Sequence, residues 1–112
     1  MKTTDSERLN VIIRLWEDLS KEIKNRNITP ELLLQDAFIQ WAITTPLYNI
    51  GEQVYNLSPE FKLQHPEIPW NMISGLRHRL VHNYEGINWS VICDVVFREM
   101  DEFVTQIKTI IF

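Results

Sequence analysis

The sequence predicts an all-α protein, an antiparallel bundle of four main helices forming a single helical domain over residues 1–112. Three observations predict it. Apolar residues recur at steps of three and four through most of the chain. No stretch alternates apolar and polar residues for long enough to make a convincing strand. Glycine and proline are few, 3 and 5 of 112 residues, which argues against a loop-dense fold. A chain of this length buries one core and has no room for a separate cofactor domain. With 45% apolar and 23% charged residues it is an ordinary globular chain, neither a disordered tail nor a low-complexity one.

The first helix is expected from about Ser6 to Lys24, with Leu9, Ile12, Ile13, Trp16, Leu19 and Ile23 on one stripe. Asp5 or Ser6 is the candidate cap. Thr29-Pro30-Glu31 reads as a second start, with Thr29 as N-cap and Pro30 at the first helical position, where its missing N–H costs nothing. That stripe continues through Leu33, Ala37, Trp41, Leu47, Ile50, Val54 and Leu57, with a kink or break expected near Thr44–Pro46 because Pro46 removes a hydrogen bond. Ser58-Pro59-Glu60 starts an extra turn, and His65 to Pro69 is a loop. A third main helix follows from Pro69 or Trp70 to about His82. Asn88 caps the last, in which Trp89, Ile92, Val96, Met100, Phe103, Ile107 and Ile110 form a near-heptad seam. All four tryptophans, Trp16, Trp41, Trp70 and Trp89, are assigned to the core.

Eleven Lys and Arg against fifteen Asp and Glu give a net charge of −4. Phosphate affinity comes largely from Lys and Arg, so any contact with nucleic acid must use a local patch. The single cysteine, Cys93, excludes an internal disulfide and a thiolate metal cluster within one chain, and it reads as a small apolar residue. Met1 to Asn10 is too polar for a signal peptide, and no apolar run approaches a membrane span. These features point to a soluble protein of a reducing compartment, the cytoplasm. There is no Gly-rich phosphate loop, and no cofactor is expected.

One stretch departs from the acidic background. Arg77-His78-Arg79-Leu80-Val81-His82-Asn83-Tyr84 holds two arginines and two of the three histidines. Arginine offers planar, permanently charged donors to phosphate oxygens, and histidine moves protons near neutral pH. Together they suit phosphodiester cleavage without a metal. A histidine would handle the proton of a ribose 2′-OH or of the leaving oxygen, and an arginine would hold the charge that builds on phosphorus. On an ideal helix Arg77 and His82 point about 140° apart. Either the helix loosens near Val81–His82, as Gly86 would allow, or a second subunit completes the site. The competing reading is that basic residues at a helix C-terminus only offset its dipole. His78 and His82, four apart, present two metal ligands with no third, which is not a site. Gly51 reads as a close-packing position, and Glu52 as a residue able to cap, pair with an arginine or line a cleft.

These residues resemble the HepT-like toxins of the HEPN superfamily. The string RHRLVHNY, Arg77 to Tyr84, is similar to that family's Arg-x4-His-x-Tyr signature. Upstream, Ile50-Gly51-Glu52, Leu57-Ser58-Pro59-Glu60-Phe61, His65-Pro66-Glu67-Ile68-Pro69-Trp70 and Ile73-x-Gly75-Leu76-Arg77 match its blocks in order and spacing, over about residues 42 to 97. A lone R-x4-H would be weak, whereas the ordered set is specific. The resemblance implies a homodimeric helical bundle with the motif at the dimer cleft, and a metal-independent endoribonuclease toxin. Arg77 and His82 would be catalytic, with His78, Arg79, Asn83 and Glu52 in support, on an RNA substrate such as tRNA or mRNA. It also implies an MntA-type nucleotidyltransferase antitoxin that uses ATP to adenylylate Tyr84. Phosphates added there would repel RNA phosphates and fill the cleft. One departure stands out: Thr45-Pro46 replaces a family Arg-Asn, removing a basic residue near the expected cleft.

Two other readings compete. A non-catalytic helical module would present Tyr84 and its neighbours to a nucleotidyltransferase. A dimeric scaffold would use the basic segment only to complete an interface.

Overall fold

The computed structural model describes residues 1–81 and 86–111. Among them every regular element is helical and none is a strand. α1 spans Thr3–Asn25, α2 Pro30–Gln35, α3 Ala37–Tyr55, α4 Pro59–Gln64 and α5 Trp70–Val81. The last rod comprises α6 (Trp89–Asp94), a π turn (Val95–Glu99) and α7 (Met100–Ile111), with helical backbone angles at both junctions. The four main helices are therefore α1, α3, α5 and the α6–α7 rod, with α2 and α4 as six-residue pieces between them.

The packing is antiparallel around α3. Near the start of α1, Arg8 Nη1 donates to Gln53 Oε1 near the end of α3 at 3.1 Å. On the other flank Gly51 of α3 lies against Ile73 and Arg77, while Tyr48, one turn earlier in α3, shares a depression with Val81 at the far end of α5. α7 closes on α1 through Trp16 Nε1, which donates to Asp101 Oδ1 at 2.9 Å, and through Lys108 Nζ, 3.2 Å from Glu17 Oε1. Between these rods Leu9, Ile12, Ile43, Leu47, Ile50, Ile73, Leu76, Ile92, Met100 and Phe103 are fully enclosed. They are the periodic positions of the sequence, and their removal from water is the main favourable term in the fold.

Several expected caps hold. Thr29 Oγ1 accepts from Leu32 N, Ser58 Oγ from Phe61 N, and Asn88 Oδ1 from Ser90 N and Val91 N. The cap of α1 does not. Its N-cap is Lys2, without a side-chain bond, and Asp5 is already helical. Asp5 instead reaches across the fold. Only 2% exposed, it accepts from Ser58 N at 2.9 Å and Ser58 Oγ at 2.6 Å, which ties α1 to the start of α4. Burial works against this carboxylate's charge, but the two bonds from Ser58, with Lys2 and Arg8 nearby, outweigh it and hold its pKa below the ordinary value. A depressed pKa contributes stability that is fully present above the ordinary carboxylate value near 4 and is lost as pH falls through the lower folded one. Asp5→Asn is therefore expected to cost about 1.5–3 kcal/mol at pH 7. The gap to wild type should narrow as pH falls below about 4, because the unfolded carboxyl takes up its proton there and the folded one follows at lower pH. Urea titrations at pH 7 and pH 3 check this, and a gap of equal size at both would refute it.

The second helix breaks elsewhere than expected. α2 stops at Gln35, and the Asp36 carboxylate accepts from Phe38 N and Ile39 N at 2.9 and 3.2 Å, starting a new helix. α3 then continues through Pro46. The carbonyl that Pro46 leaves without a helical donor belongs to Ala42, an exposed residue that water can reach. Ile43, Leu47 and Ile50 hold the opposite side of the helix in the core. The break also resets the phase of the stripe. The buried face runs through Ile43, Leu47, Ile50 and Val54, so Trp41, expected in the core, is 57% exposed, and Ala37 is exposed as well. Trp16 and Trp70 are buried as expected, and Trp89 packs half-buried against the core.

The π turn is a further difference. Ile92, Val96 and Met100 follow one another at two successive steps of four and are all buried. An α-helix would rotate the third of them about 80° off the seam. The wider π turn at Val95–Glu99 absorbs that drift and keeps one face inward.

Candidate functional site

Arg77 is the fixed point of the site. Its position follows from Gly51 on α3. A Cβ added to Gly51 would lie 2.9 Å from Arg77 N, 3.1 Å from Ile73 O and 3.2 Å from Arg77 Cβ. Only a residue without a side chain lets α3 and α5 meet this closely. The expected close-packing role of Gly51 is thus met, and the backbone it contacts is that of Arg77.

From this contact the Arg77 side chain crosses the surface of α3. Its Nε lies 3.5 Å from Glu52 Oε2, and its guanidinium carbon lies 3.7 Å above the centre of the Tyr55 ring. Glu52 and Tyr55 are three residues apart and lie on the same side of α3. Asn56 Nδ2 donates to the other Glu52 oxygen, Oε1, at 3.3 Å. Among the described residues Glu52 Oε2 has no hydrogen-bond partner, although the atom is buried. The arginine is the cation beside it, at a separation longer than a direct hydrogen bond. Of the roles considered for Glu52, the structure therefore selects pairing with an arginine.

Arg77 remains about one-third exposed. Beside it Tyr48, His78 and Val81 complete a depression of about 220 Å³ at the C-terminal end of α5. His78 and Arg79 are exposed at that end. The chemistry available at this surface is anion binding by a guanidinium already held in place.

The remaining motif residues, His82, Asn83 and Tyr84, lie outside the described residues. So does any convergence of His82 or Tyr84 with Arg77. Among the described residues no three His, Cys, Asp or Glu side chains gather in a way that could hold a metal ion. Cys93 is buried, and burial with the nearby Asp94 and Glu31 carboxylates raises its pKa, which fits the small apolar role expected for it. No described helix is long and apolar enough to cross a membrane. His65 belongs to the loop rather than the site. Its carbonyl accepts from Trp70 Nε1 at 3.0 Å, and its ring packs 5.0 Å from that of Phe61.

Sequence reasoning missed Tyr55 and Tyr48. The available signal was their spacing: Tyr48, Glu52 and Tyr55 share one side of α3 that flanks its buried stripe. A misplaced break in the helix obscured which side that was.

Comparison with known proteins agrees with this frame. The family model described as "Ribonuclease HepT-like" matches residues 9–110. "Putative RNase TTE0752" of Caldanaerobacter subterraneus subsp. tengcongensis is 34% identical over 103 residues, covering 92% of this chain and 90% of that protein. "Putative RNase MJ0127" of Methanocaldococcus jannaschii is 35% identical over 76% of this chain and 70% of its own. "Probable ribonuclease HepT" of Thermococcus cleftensis is 35% identical over 71% of this chain and 77% of its own. No solved structure matches. With a family match spanning nearly its whole length, the chain belongs to the HepT-like ribonuclease family.

Proposed function

We propose that this protein is a metal-independent endoribonuclease toxin of a type II toxin–antitoxin system, acting in the cytoplasm as a homodimer with Arg77 and His82 at the dimer cleft. The observation that carries the reading is Arg77 itself. In a chain of net charge −4, one guanidinium is held at the surface between Glu52 and Tyr55, beside two more basic residues, in a member of a ribonuclease family. His82 takes the proton of a ribose 2′-OH, and the 2′-oxygen attacks phosphorus. The 5′-oxygen leaves and is protonated, giving a 2′,3′-cyclic phosphate and a free 5′-OH. Arg77 holds the charge that builds on the phosphoryl oxygens. An MntA-type nucleotidyltransferase antitoxin silences the site. The Tyr84 oxygen bonds to the α-phosphorus of ATP, pyrophosphate leaves, and the added phosphate repels RNA.

The dimer has support on α3. Phe38 and Trp41, three residues apart near the start of α3, are 71% and 57% exposed. A pair of large exposed aromatics is a liability on a monomer and a natural contact between copies. Trp41→Asp is expected to turn a dimer into a monomer in sedimentation equilibrium, with RNA cleavage lost in parallel. A variant that stays dimeric would place the interface elsewhere.

The function is tested by incubating total tRNA with the purified protein in excess EDTA, beside His82→Ala prepared the same way. Cleavage by the wild type alone supports the reading. Equal cleavage by both removes His82 from it. No cleavage by either, with intact mass showing Tyr84 unmodified, favours a non-catalytic module that binds a nucleotidyltransferase.

A further inference from the structure

We propose that Tyr55 is a positioning residue for RNA cleavage, orienting Arg77 through its ring face while leaving the arginine's phosphate-binding donors unused. The inference rests on the ribonuclease reading above and assigns a role to a residue outside the motif.

The geometry carries it. The Arg77 guanidinium carbon sits 3.7 Å from the centre of the Tyr55 ring, which is stacking distance. A guanidinium donates in its own plane, so a ring against its face holds it without consuming an N–H. Glu52, the other partner, stands 3.5 Å from Nε, the donor nearest the backbone. A carboxylate gripping the two terminal nitrogens would compete with phosphate for the same donors. A ring beneath them does not. Gly51 sets the root of the side chain, Glu52 its middle and Tyr55 its end, all from adjacent turns of α3. Arginine otherwise spreads over many rotamers, and ordering it in advance removes that entropy from the reaction step. The tyrosine is itself 54% exposed, so little of its area contributes to the core. Its ring contact is with the residue expected to do chemistry, while its backbone carbonyl accepts from Lys62 Nζ at 3.4 Å.

The consequence falls on turnover. Arg77 contacts the phosphoryl oxygens most strongly when their charge is greatest, so misorienting it lowers kcat more than it raises KM. Tyr55→Leu keeps bulk but removes the π face and is expected to lower kcat about two- to fivefold, with KM little changed. Tyr55→Phe keeps the face, loses the hydroxyl and is expected to stay near wild type. The contact is also read without RNA. In two-dimensional ¹⁵N–¹H NMR spectra, a guanidinium stacked on a ring shows its Nε–H signal shifted upfield, and Arg77→Lys assigns that signal by removing it. Tyr55→Leu should return the signal to its ordinary position, and Tyr55→Phe should leave it shifted.

A wild-type kcat in Tyr55→Leu would overturn the proposal, as would an equal fall in Tyr55→Phe, which would assign the effect to the hydroxyl. An unshifted Arg77 signal in the wild type would overturn it whatever the kinetics. If the signal is shifted and the wild type cleaves, but kcat ignores Tyr55, the positioning role fails while the ribonuclease reading stands. If the wild type cleaves nothing, the ribonuclease reading fails and takes the positioning role with it.

Discussion

Replacing Arg77 with Ala is expected to lower metal-independent RNA cleavage by about 10²–10³-fold, the usual loss when a donor to transition-state charge is removed. Arg77→Lys should recover only part of it. Lysine keeps the positive charge but brings a compact ammonium without a planar fork, and it stacks less well on the Tyr55 ring. His82→Ala, which removes the group proposed to move the proton, should cost about 10²–10⁴-fold. If the two residues act on one step, the double variant should be scarcely worse than the poorer single one. The variants should keep wild-type helical circular dichroism, because Arg77 is partly exposed and the buried face of α5 is Ile73, Leu76 and Leu80. Single-turnover cleavage of tRNA in EDTA measures all of this. An Arg77→Ala protein that cleaves at the wild-type rate would remove the central residue of the proposed site.

Gly51→Ala is expected to destabilise the fold and disturb the site together. The new methyl would meet the backbone nitrogen of Arg77 at 2.9 Å and the carbonyl oxygen of Ile73 at 3.1 Å. Neither is the loose end of a side chain, so α5 itself has to move. Overpacking of this kind costs about 1–3 kcal/mol. Alanine returns about 1 kcal/mol of helix propensity over glycine. The net loss is expected to be up to about 2 kcal/mol, a fall in Tm of up to about 10 °C. Gly51→Val should be worse, with more bulk and a stiff β-branch. Because the displaced residue is Arg77, cleavage should fall even at temperatures where Gly51→Ala is fully folded. Gly75 provides the contrast. It lies within α5, and a Cβ there would meet nothing within 4 Å. Gly75→Ala is therefore expected to stabilise the fold by about 0.5–1 kcal/mol. Thermal melts of the three variants decide the matter, and a Gly51→Ala protein melting at or above wild type would show that α5 shifts freely.

Much of this molecule is legible in its residues because helices announce themselves locally. Leu9, Ile12, Ile13, Trp16 and Ile23 lie on one face for any straight helix, and all are buried. Thr29, Ser58 and Asn88 cap because a short polar side chain before a helix satisfies its first N–H groups wherever the rest of the chain goes. The ordered blocks from Ile50 to Tyr84 pointed to the family in the same way, through residues read in sequence.

What the sequence left open depends on balances between distant groups. Asp5 looks like a local cap, yet its carboxylate serves Ser58, 53 residues away, because α4 folds back against α1. Pro46 looks like a break, yet α3 passes through it because the core contacts on one side outweigh one carbonyl left to water on the other. Asp36 makes the break instead, and that choice turns Trp41 outward and lines Tyr48, Glu52 and Tyr55 along the face beside α5. The chain alone determined that these segments form helices and which motif is the candidate for the chemistry, because periodicity, capping and charge are properties of neighbours. Only the tertiary structure decided that Arg77 stands between Glu52 and Tyr55, because that contact needs two helices to meet at Gly51, and no local rule specifies where they do.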